Sequence, residues 1–595
     1  MLRELYDYAL RENLILPAGY VKKPVLAYIS LSKDGNYVGI VSAENEKVPC
    51  PDIGSMANSG EKCNVLAEKR SILFPGDEKQ REKYAAKAAY FRQTMAEAAK
   101  LEPRLEFCLK VLCDKYAAAD ISAELDRLKL DGAKVLSFMV DGESILEFQT
   151  VRSWWEQFRQ QFRPSGAKAP CLITGNPTIP TATVPPISGL SVVGGHARGD
   201  ALICFDKDSF CSYGLKQAAN APVSEEAFAG VKAALDELLK GAPVLAGMKF
   251  VHWYDKPIDA GCDCIDALFP VIFEDEDGDA GPEPEPVVNT AQARRQADAI
   301  VGAVKSGAPA HELPNLYYIL LLSGVNGRVM VRSYEEGSYE RLTENLKAWE
   351  QDLALTNSAG TAQIGPVKLA ARLIRLMSRQ NSEKNIFDRM SKELAGLTPA
   401  IISAIINCTQ FPDSVAIRAL AYIRSQMFSS GDEAQGRKIP DPWACQWLKA
   451  WLCRREREKY LKEELFVEYN EKHTEPAYHC GALVAVYGEI QRLAMKDVNA
   501  SIIDRYYASA IQTPALVLGQ LSKLSNYHID KLSEPRRKEY AALRDRTVCA
   551  IGDLIPTVLR PEQQSYFALG YYQMCAKMEK DRRARIAAAA EKKAD

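Results

Sequence analysis

The sequence predicts an α+β multidomain protein, in which a mixed α/β N-terminal part is followed by a C-terminal α-helical bundle. Three observations support this fold class. The chain has 595 residues, and a single hydrophobic core stops growing at roughly 250–300 residues, so several domains are expected. Two hairpin-turn signals, Asp34-Gly35 and Asp141-Gly142, lie between short apolar runs. After residue 339 the apolar residues recur mainly at helical spacing.

The N-terminal elements follow from these local patterns. Residues 1–12 predict a helix, because Leu2, Leu5 and Leu10 share one face. Alternating or continuous apolar runs bounded by turn residues predict strands, at Val25–Ser32, Tyr37–Ser42, Val135–Val140, Ile145–Thr150 and Ala201–Phe205. The charged, alanine-rich run Lys79–Lys100 predicts a long helix.

The second half of the chain differs from the first in composition and in the spacing of its apolar residues. Glu274–Pro286 is acidic and rich in Pro and Gly, which is typical of a solvated linker. Beyond it we predict a helix at Thr290–Val304 and strands at Tyr317–Ser323 and Gly327–Ser333. Apolar stripes at helical spacing then predict the bundle, at Leu483, Val486, Ile490 and Leu493 and again at Val517, Leu521 and Leu524.

These patterns suggest a division of the chain into four parts. An N-terminal α+β domain covers residues 1–230, and a mixed α/β segment that contains the acidic linker 274–286 covers residues 231–338. A helical region covers residues 339–466. The C-terminal helical bundle covers residues 467–595.

Composition and charge narrow the classes of function. Hydrophobic residues make up 47% and charged residues 26% of the chain, as in ordinary globular proteins. The net charge is −2, so a protein that simply coats nucleic acid is disfavoured, and any DNA contact needs local basic patches. The sequence has neither a signal peptide nor an apolar run of membrane-spanning length, which predicts a cytoplasmic protein without membrane contact.

Known catalytic motifs are missing from the sequence. It contains no Walker-type phosphate loop, no dinucleotide-binding glycine pattern and no nucleophile elbow. Its six histidines form no zinc-protease motif, and Cys262 and Cys264 are a C-x-C pair without a partner pair at zinc-finger spacing. We therefore expect no enzyme activity, no cofactor and no metal site. A nuclease built from carboxylates alone stays open, because acidic residues occur throughout.

Basic residues near apolar or aromatic residues are the candidate DNA contacts. Lys69, Arg70 and Ser71 lie in a short loop, where Arg and Lys can donate to base edges. Lys79, Lys83 and Lys87 recur every four residues, which places them in one line on a helix and suits contact with phosphates. The alternative for this line is a solvated charged helix face.

Two further clusters lie between residues 152 and 198. Arg152, Arg159 and Arg163 are interleaved with Trp155, Phe158 and Phe162, whose rings at helical spacing indicate a core more strongly than a base-stacking platform. Arg198 lies in the glycine-rich loop Gly194–Gly199, where backbone amides can approach a phosphate.

The C-terminal bundle is mildly basic within an acidic chain. From residue 467 onward it has 19 Lys and Arg against 16 Asp and Glu. Arg536, Arg537 and Lys538 are adjacent and form its densest cationic stretch. They fit a face that meets a nucleic-acid strand, and a solvated helix face is the equal alternative.

Several blocks, in order, resemble the large subunit of the type I-C CRISPR effector complex, the Csd1 family. Those blocks run along most of the chain: Cys171–Gly175, Ala201–Phe210, Ser212–Gly214, Asn220–Ser224, Phe250–Tyr254, Asn326–Arg332, Pro476–Gly481, Ala500–Tyr507 and Thr513-Pro514. Several blocks in the right order are more specific than any one of them.

The resemblance implies a role within a crRNA-guided complex. Such subunits recognise the PAM in double-stranded DNA, promote strand separation and R-loop formation, stabilise the non-target strand and help to recruit a helicase-nuclease. The implied partners are crRNA, the target duplex, the backbone and handle-binding subunits of the Cascade, and a separately made small subunit that the C-terminal bundle resembles. The PAM-reading loop of the family matches Glu68–Ser71. The rival hypotheses are a carboxylate-dependent nuclease and a structural adaptor without DNA contact.

Overall fold

The computed structural model describes residues 1–17, 19–43, 47–58, 60–162, 167–181, 183–205, 207–258, 263–265, 315–357, 360–361, 396–428, 438–455, 467–495, 501–553 and 555–594. Arg163, Cys262, the acidic linker 274–286 and the helix predicted at Thr290–Val304 lie outside these residues.

The chain divides into two compact units. Unit 1 comprises Met1–Ser191, Gly195–Lys240 and Asn326–Val329. Unit 2 comprises Val192–Gly194, Gly241–Val325 and Met330–Asp595. The four-part division predicted from the sequence stays a prediction.

Unit 1 is built around a mixed six-stranded sheet, with the order β2-β1-β5-β4 and with β3 on β1 and β6 on β5. Its strands are β1 Tyr20–Leu31, β2 Tyr37–Ser42, β3 Lys47–Pro51, β4 Glu68–Lys69, β5 Val135–Val140 and β6 Glu143–Ser144. The turn between β1 and β2 contains Gly35, whose φ of +80° is the left-handed conformation that the Asp-Gly signal predicts. β1 runs parallel to β5, with Ile29 opposite Phe138.

The helices of unit 1 cover this sheet and its loops. They are α1 Leu2–Arg11, α2 Arg70–Leu73, α3 Glu78–Ala99, α4 Leu105–Cys113, α5 Lys115–Arg127, α6 Gln149–Phe158 and α7 Glu225–Leu238. A small ribbon pairs β7 Ala169–Pro170 with β8 Pro177–Thr178. The core between sheet and helices is aromatic, with Phe74, Phe91, Phe138 and Trp155 fully buried.

Two of the predicted strands are wrong. Strand β6 ends at Ser144, and the run Ile145–Thr150 instead turns into α6 at Gln149. The Ser144 hydroxyl accepts the Leu146 amide at 3.3 Å, so this amide leaves the ladder while Ile145 and Phe148 are still buried. In the run Ala201–Phe205, only Ala201 forms a β-bridge, to Arg328. The run Ile145–Thr150 is apolar because Ile145, Leu146 and Phe148 are buried, and burial alone does not distinguish a strand from a compact turn. The run Ala201–Phe205 is only half-buried, with Cys204 exposed, and it continues as bends after its single bridge.

Unit 2 contains a second sheet, in the order β12-β11-β10-β9. Its strands are β9 Val244–Leu245, β10 Met248–Tyr254, β11 Leu316–Val325 and β12 Arg328–Ser338. A minimal ribbon pairs β13 Thr356–Asn357 with β14 Gly360–Thr361. The helices are α8 Tyr339–Leu353, α9 Leu397–Asn407, α10 Asp413–Phe428, α11 Pro442–Arg455, α12 Pro476–Ala494, α13 Ile502–Ala510, α14 Pro514–Ile529, α15 Glu534–Ile551 and α16 Pro561–Ala594.

Helix α12 lies at the centre of the C-terminal helices. Its predicted stripe of Leu483, Val486 and Ile490 is buried, and so is almost every other residue from Ala477 to Gln491. A helix that is apolar all round is a core helix. It contacts α13, α14, α15 and α16, so this part is a packed bundle. The fold class predicted from the sequence, mixed α/β followed by helices, is confirmed.

None of the helices in the described ranges combines sufficient length with sufficient apolar character to cross a bilayer.

Candidate nucleic-acid interface

Lys69 projects from a buried loop at the edge of the first sheet. Strand β4 pairs antiparallel with β5, with Lys69 opposite Val135. The residues on either side of it, Glu68 and Arg70, are buried, whereas Lys69 itself is exposed. Within the described part of the chain, no hydrogen bond or ion pair engages its ammonium group. The Lys69 side chain therefore faces solvent, and its contact with DNA stays a prediction.

The backbone that carries Lys69 is fixed by buried hydrogen bonds. The Glu68 carboxylate accepts the backbone amides of Lys69 and Asn64, each at 2.8 Å. Leu66 adopts a left-handed φ of 65°, and its carbonyl accepts the Ser137 hydroxyl at 2.8 Å. Each such contact restricts the loop, because a buried polar group that lost its partner would raise the free energy of the fold. The backbone that carries the Lys69 side chain is thus a rigid support.

Arg70 is differently placed from the sequence expectation. The residue is only 5% exposed, and its guanidinium donates to the Leu130 carbonyl at 2.5 Å, the Ser122 carbonyl at 3.2 Å and the Asp126 carboxylate at 2.6 Å. These partners tie the loop to α5 and to the turn that follows it. The donors predicted to read a guanine are engaged inside the fold, and a contact between Arg70 and DNA stays a prediction.

Ser71 also lies inside the loop. It is buried, and its backbone amide donates to the Gly132 carbonyl at 3.1 Å. Gly132 packs closely here, since a Cβ there would lie 3.2 Å from the Cβ of Ser71. The Ser71 hydroxyl is therefore less accessible to DNA than the Lys69 ammonium.

The lysine line on α3 is only partly exposed. The helix begins at the Asp77 cap, whose carboxylate accepts the Gln80 amide at 2.7 Å. Lys79 and Lys83 are exposed four residues apart, but Lys87 is half-buried and donates to the Ala57 carbonyl at 2.8 Å. Two of the three predicted cations therefore face solvent on one side of the helix.

The aromatic residues near Arg159 belong to the core, as their spacing indicates. Trp155 is fully buried, and its indole donates to the Gly19 carbonyl at 3.2 Å. Arg159 is 8% exposed and donates to both oxygens of Glu225 at 2.6 and 2.7 Å. Arg152 is exposed, and Arg163 lies outside the described residues. The sequence could not reveal the partner of Arg159, which is 66 residues away along the chain.

Arg198 occupies the tip of a tight turn. The Gly199 amide donates to the His196 carbonyl at 2.9 Å, and Gly199 has a left-handed φ of +98°. The fully buried Asp200 carboxylate accepts the His196 amide at 3.1 Å. A Cβ on Gly195 would lie 2.3 Å from this carboxylate, so glycine is required for the close approach. The turn leaves the Arg198 side chain in solvent.

In the bundle, the exposed cations are concentrated on α15. Arg536, Arg537 and Lys538 are all exposed, and the buried side of the same helix is formed by Tyr540, Thr547 and Ile551. Lys538 forms an ion pair with Glu534 at 3.0 Å. By contrast, α16 directs Lys577 to Glu471 at 2.8 Å and Lys580 to Glu468 at 2.6 Å. The small basic surplus of the bundle is therefore most available on α15.

The two neighbouring histidines of the bundle form a structural network. His479 is fully buried; its Nε2–H donates to the His473 carbonyl at 2.7 Å, and its Nδ1 accepts the Tyr469 hydroxyl at 2.7 Å. Burial lowers the pKa of His479 and raises that of Tyr469, which keeps both groups neutral. In the described ranges, no group of three or more His, Cys, Asp or Glu side chains is arranged to hold a metal ion.

This network predicts a pH-dependent stability. Because the folded-state pKa of His479 lies below its unfolded value, the unfolded chain binds more protons as the pH falls below about 6.5. The stabilisation is present above that pH and is lost as the pH falls towards the folded-state pKa. We expect the urea concentration at the unfolding midpoint to decrease as the pH is lowered from about 7.5 to about 5.5. In His479→Gln this midpoint should depend less on pH. An equally steep dependence in this variant would contradict the assignment.

The chain matches a known protein family over nearly its whole length. The family model described as CRISPR-associated protein (Cas_Csd1) matches residues 2–578 of the chain. The matched range contains the Lys69 loop, the Arg198 turn and α15. No curated protein matches the chain.

Proposed function

The chain belongs to the Csd1 family of CRISPR-associated proteins, and on that premise we propose that it is the non-catalytic large subunit of a type I-C crRNA-guided interference complex. In this role it recognises the PAM in double-stranded DNA, promotes strand separation and R-loop formation, stabilises the non-target strand and helps to recruit the helicase-nuclease. Its partners are crRNA, the target duplex, the Cascade backbone and handle-binding subunits and a separately made small subunit, all in the cytoplasm.

The observation that carries this proposal is the exposed Lys69 ammonium on its rigid support. Base edges in the major groove present acceptors, of which the O6 and N7 atoms of guanine are the commonest partners of Lys and Arg. A donor discriminates best when its backbone is already ordered, since less freedom is lost on binding. Glu68 and Asn64 supply this order through the two 2.8 Å contacts of the Glu68 carboxylate. In RNA-guided recognition the protein reads the PAM, while pairing with the guide reads the remaining sequence.

Exposed cations elsewhere support contacts with the DNA backbone. Lys79, Lys83, Arg152 and Arg198 lie on the surface of unit 1 and suit phosphates, which position a protein without reading sequence. On α15 of unit 2, Arg536, Arg537 and Lys538 suit a displaced strand.

In this proposal DNA cleavage belongs to the recruited helicase-nuclease. Nicking of duplex DNA by the purified chain with a divalent metal, abolished by one carboxylate substitution, would instead support the nuclease hypothesis.

Lys69→Ala should reduce PAM discrimination by the assembled complex. We expect the difference in binding free energy between target duplexes with and without the PAM to shrink by about 1–3 kcal/mol, because one base contact is lost. Electrophoretic mobility shifts with both duplexes measure this difference. Lys115→Ala, which removes an exposed lysine from α5, is the matched control and should behave like the parent. Unchanged discrimination in the Lys69 variant would favour the adaptor hypothesis.

A second prediction concerns α15. Replacing Arg536, Arg537 and Lys538 together with glutamine should weaken retention of the displaced strand. It should also reduce the slope of log K against log salt for single-stranded DNA by roughly 2, since about three phosphate contacts are lost. Lys577→Gln is the control, because this lysine already pairs with Glu471. An unchanged slope in the triple variant, measured by filter binding over a salt series, would remove α15 from the interface.

A further inference from the structure

An ordered loop of unit 1 presents a tyrosine to solvent. The loop covers residues 207–220, and the side chain of Tyr213 within it is 100% exposed. Tyr213 has a φ of 54°, and Gly214 after it has a φ of 73°. A bulky residue in this left-handed region is unusual, and such residues concentrate at functional sites. Nothing in the hydrophobic core accounts for an aromatic ring at this position.

Asn220 holds the loop in shape. Its side-chain amide donates to the Leu215 carbonyl at 3.1 Å and to the Gln217 carbonyl at 3.0 Å. Its side-chain oxygen accepts the Ser212 amide at 3.1 Å. Three contacts from a single side chain fix the segment on both sides of Tyr213, so the ring projects from an ordered base.

Cations lie within this loop and beside it. The Arg328 guanidinium lies over the Phe210 ring, 5.3 Å from its centroid. The backbone beside Arg328 is paired with Ala201, through amide contacts of 2.9 and 3.0 Å. The turn that carries Arg198 lies next to it, since a Cβ on Gly327 would be 3.5 Å from the His196 ring. Arg198, Arg328, Lys207 and Lys216 are all exposed, and Asp208 is the exposed acid among the described residues of the loop.

From this arrangement we propose that Tyr213, Phe210, Arg198 and Arg328, here named the Tyr213 surface, bind an unpaired DNA strand. One base stacks on the Tyr213 ring, and the adjacent phosphates lie against the two arginines. Every base has a face that can stack, so such a site holds a strand without reading its sequence. Paired bases are stacked on each other and cannot use the ring, which favours a single strand over a duplex.

The choice of DNA rests on the proposed function, because opening a target duplex produces an unpaired DNA strand. The stacking geometry and the charges do not depend on it. Three segments that the sequence comparison singled out, Ala201–Phe210, Ser212–Gly214 and Asn326–Arg332, come together in this one surface. These blocks belong neither to the Lys69 loop nor to α15, so the proposed function gives them no role. Their proximity in the Tyr213 surface gives them a shared one.

The test is anisotropy of a fluorescent oligodeoxythymidine titrated with the purified full chain. Tyr213→Asn removes the ring and keeps a residue that tolerates a left-handed φ, and we expect about ten-fold weaker binding. Tyr213→Trp should restore it. Tyr116→Asn is the control, because Tyr116 is 87% exposed on α5 of the same unit, and it should bind like the parent. Arg198→Gln should lower the salt dependence of binding.

Parent-like binding by Tyr213→Asn, with an unchanged melting temperature, would overturn the proposal. A loss confined to an oligouridine of equal length would overturn the choice of DNA and assign the surface to RNA. Photocrosslinking of 5-iododeoxyuridine DNA to the loop 207–220, mapped by mass spectrometry, would support it directly. PAM discrimination by Lys69 is measured on duplexes. If the Lys69 prediction fails, the binding of single-stranded DNA by the Tyr213 surface can still be interpreted.

Discussion

Gly570→Ala is expected to destabilise unit 2 by about 2 kcal/mol or more. Gly570 on α16 lies against α12, where an added Cβ would be 1.9 Å from the Tyr478 carbonyl oxygen. Gly481 on α12 is its counterpart, with a Cβ that would lie 1.9 Å from the Phe567 carbonyl oxygen. The two helices thus touch backbone to backbone. Neither obstacle is the end of a flexible side chain, so relief requires the helices to separate.

The sign of this effect is informative because glycine is otherwise unfavourable in a helix. Replacing an unhindered helical glycine with alanine stabilises the helix by about 1 kcal/mol. Gly519 on α14 is such a position, with nothing within 4 Å of its added Cβ. We therefore expect Gly519→Ala to raise the thermal midpoint and Gly570→Ala to lower it, both followed by circular dichroism. Shifts in the same direction would show that α12 and α16 do not pack at this distance.

Arg70→Ala should produce the second large effect. It removes the donors to the Leu130 and Ser122 carbonyls and leaves a cavity under the loop, for a loss of about 2–3 kcal/mol in the stability of unit 1. The ion pair with Asp126 adds little, because that carboxylate is 66% exposed. PAM discrimination should fall as well, since Lys69 loses its ordered support. Arg70→Lys should be intermediate, because one ammonium cannot span three acceptors as a guanidinium does.

Asp126→Ala distinguishes support of the loop from direct base reading by Arg70. If Arg70 supports the loop, losing Asp126 loosens the guanidinium and slightly lowers discrimination. If Arg70 leaves Asp126 to contact a base, removing the carboxylate frees the guanidinium and raises duplex affinity. Mobility shifts with PAM and non-PAM duplexes measure the difference, and a rise in affinity would contradict the supporting role.

Local signals in the sequence predicted local structure well. The Asp34-Gly35 turn, the long helix α3 and the stripe on α12 each depend on residues a few positions apart, and each is found in the structure. The strand prediction for the run Ile145–Thr150 is wrong because its apolar residues fill a buried turn. Here the deciding contact was the Ser144 hydroxyl with the Leu146 amide, which no periodicity reveals.

Predicting the site was harder, because exposure depends on distant partners. Lys69 and Arg70 are adjacent and similar in sequence, yet one is in solvent and the other is buried against Asp126, 56 residues later. Likewise, Arg159 is drawn into the fold by its ion pair with Glu225, and Lys87 by its hydrogen bond to the Ala57 carbonyl. Tyr213 lies within a segment that the sequence singled out, but its exposure follows from the bonds of Asn220.

The packing around α16 has a consequence for biosynthesis. Helix α16 packs on both α10 and α11, and α13 packs on α10; the Tyr571 hydroxyl donates to the Lys438 carbonyl at 2.8 Å. A polypeptide whose translation began near residue 467 would leave the ribosome without α10 and α11. The apolar side of α16 that those helices cover would be open to aggregation. Such a fragment would need a chaperone or a substitute protein surface from the moment it was made.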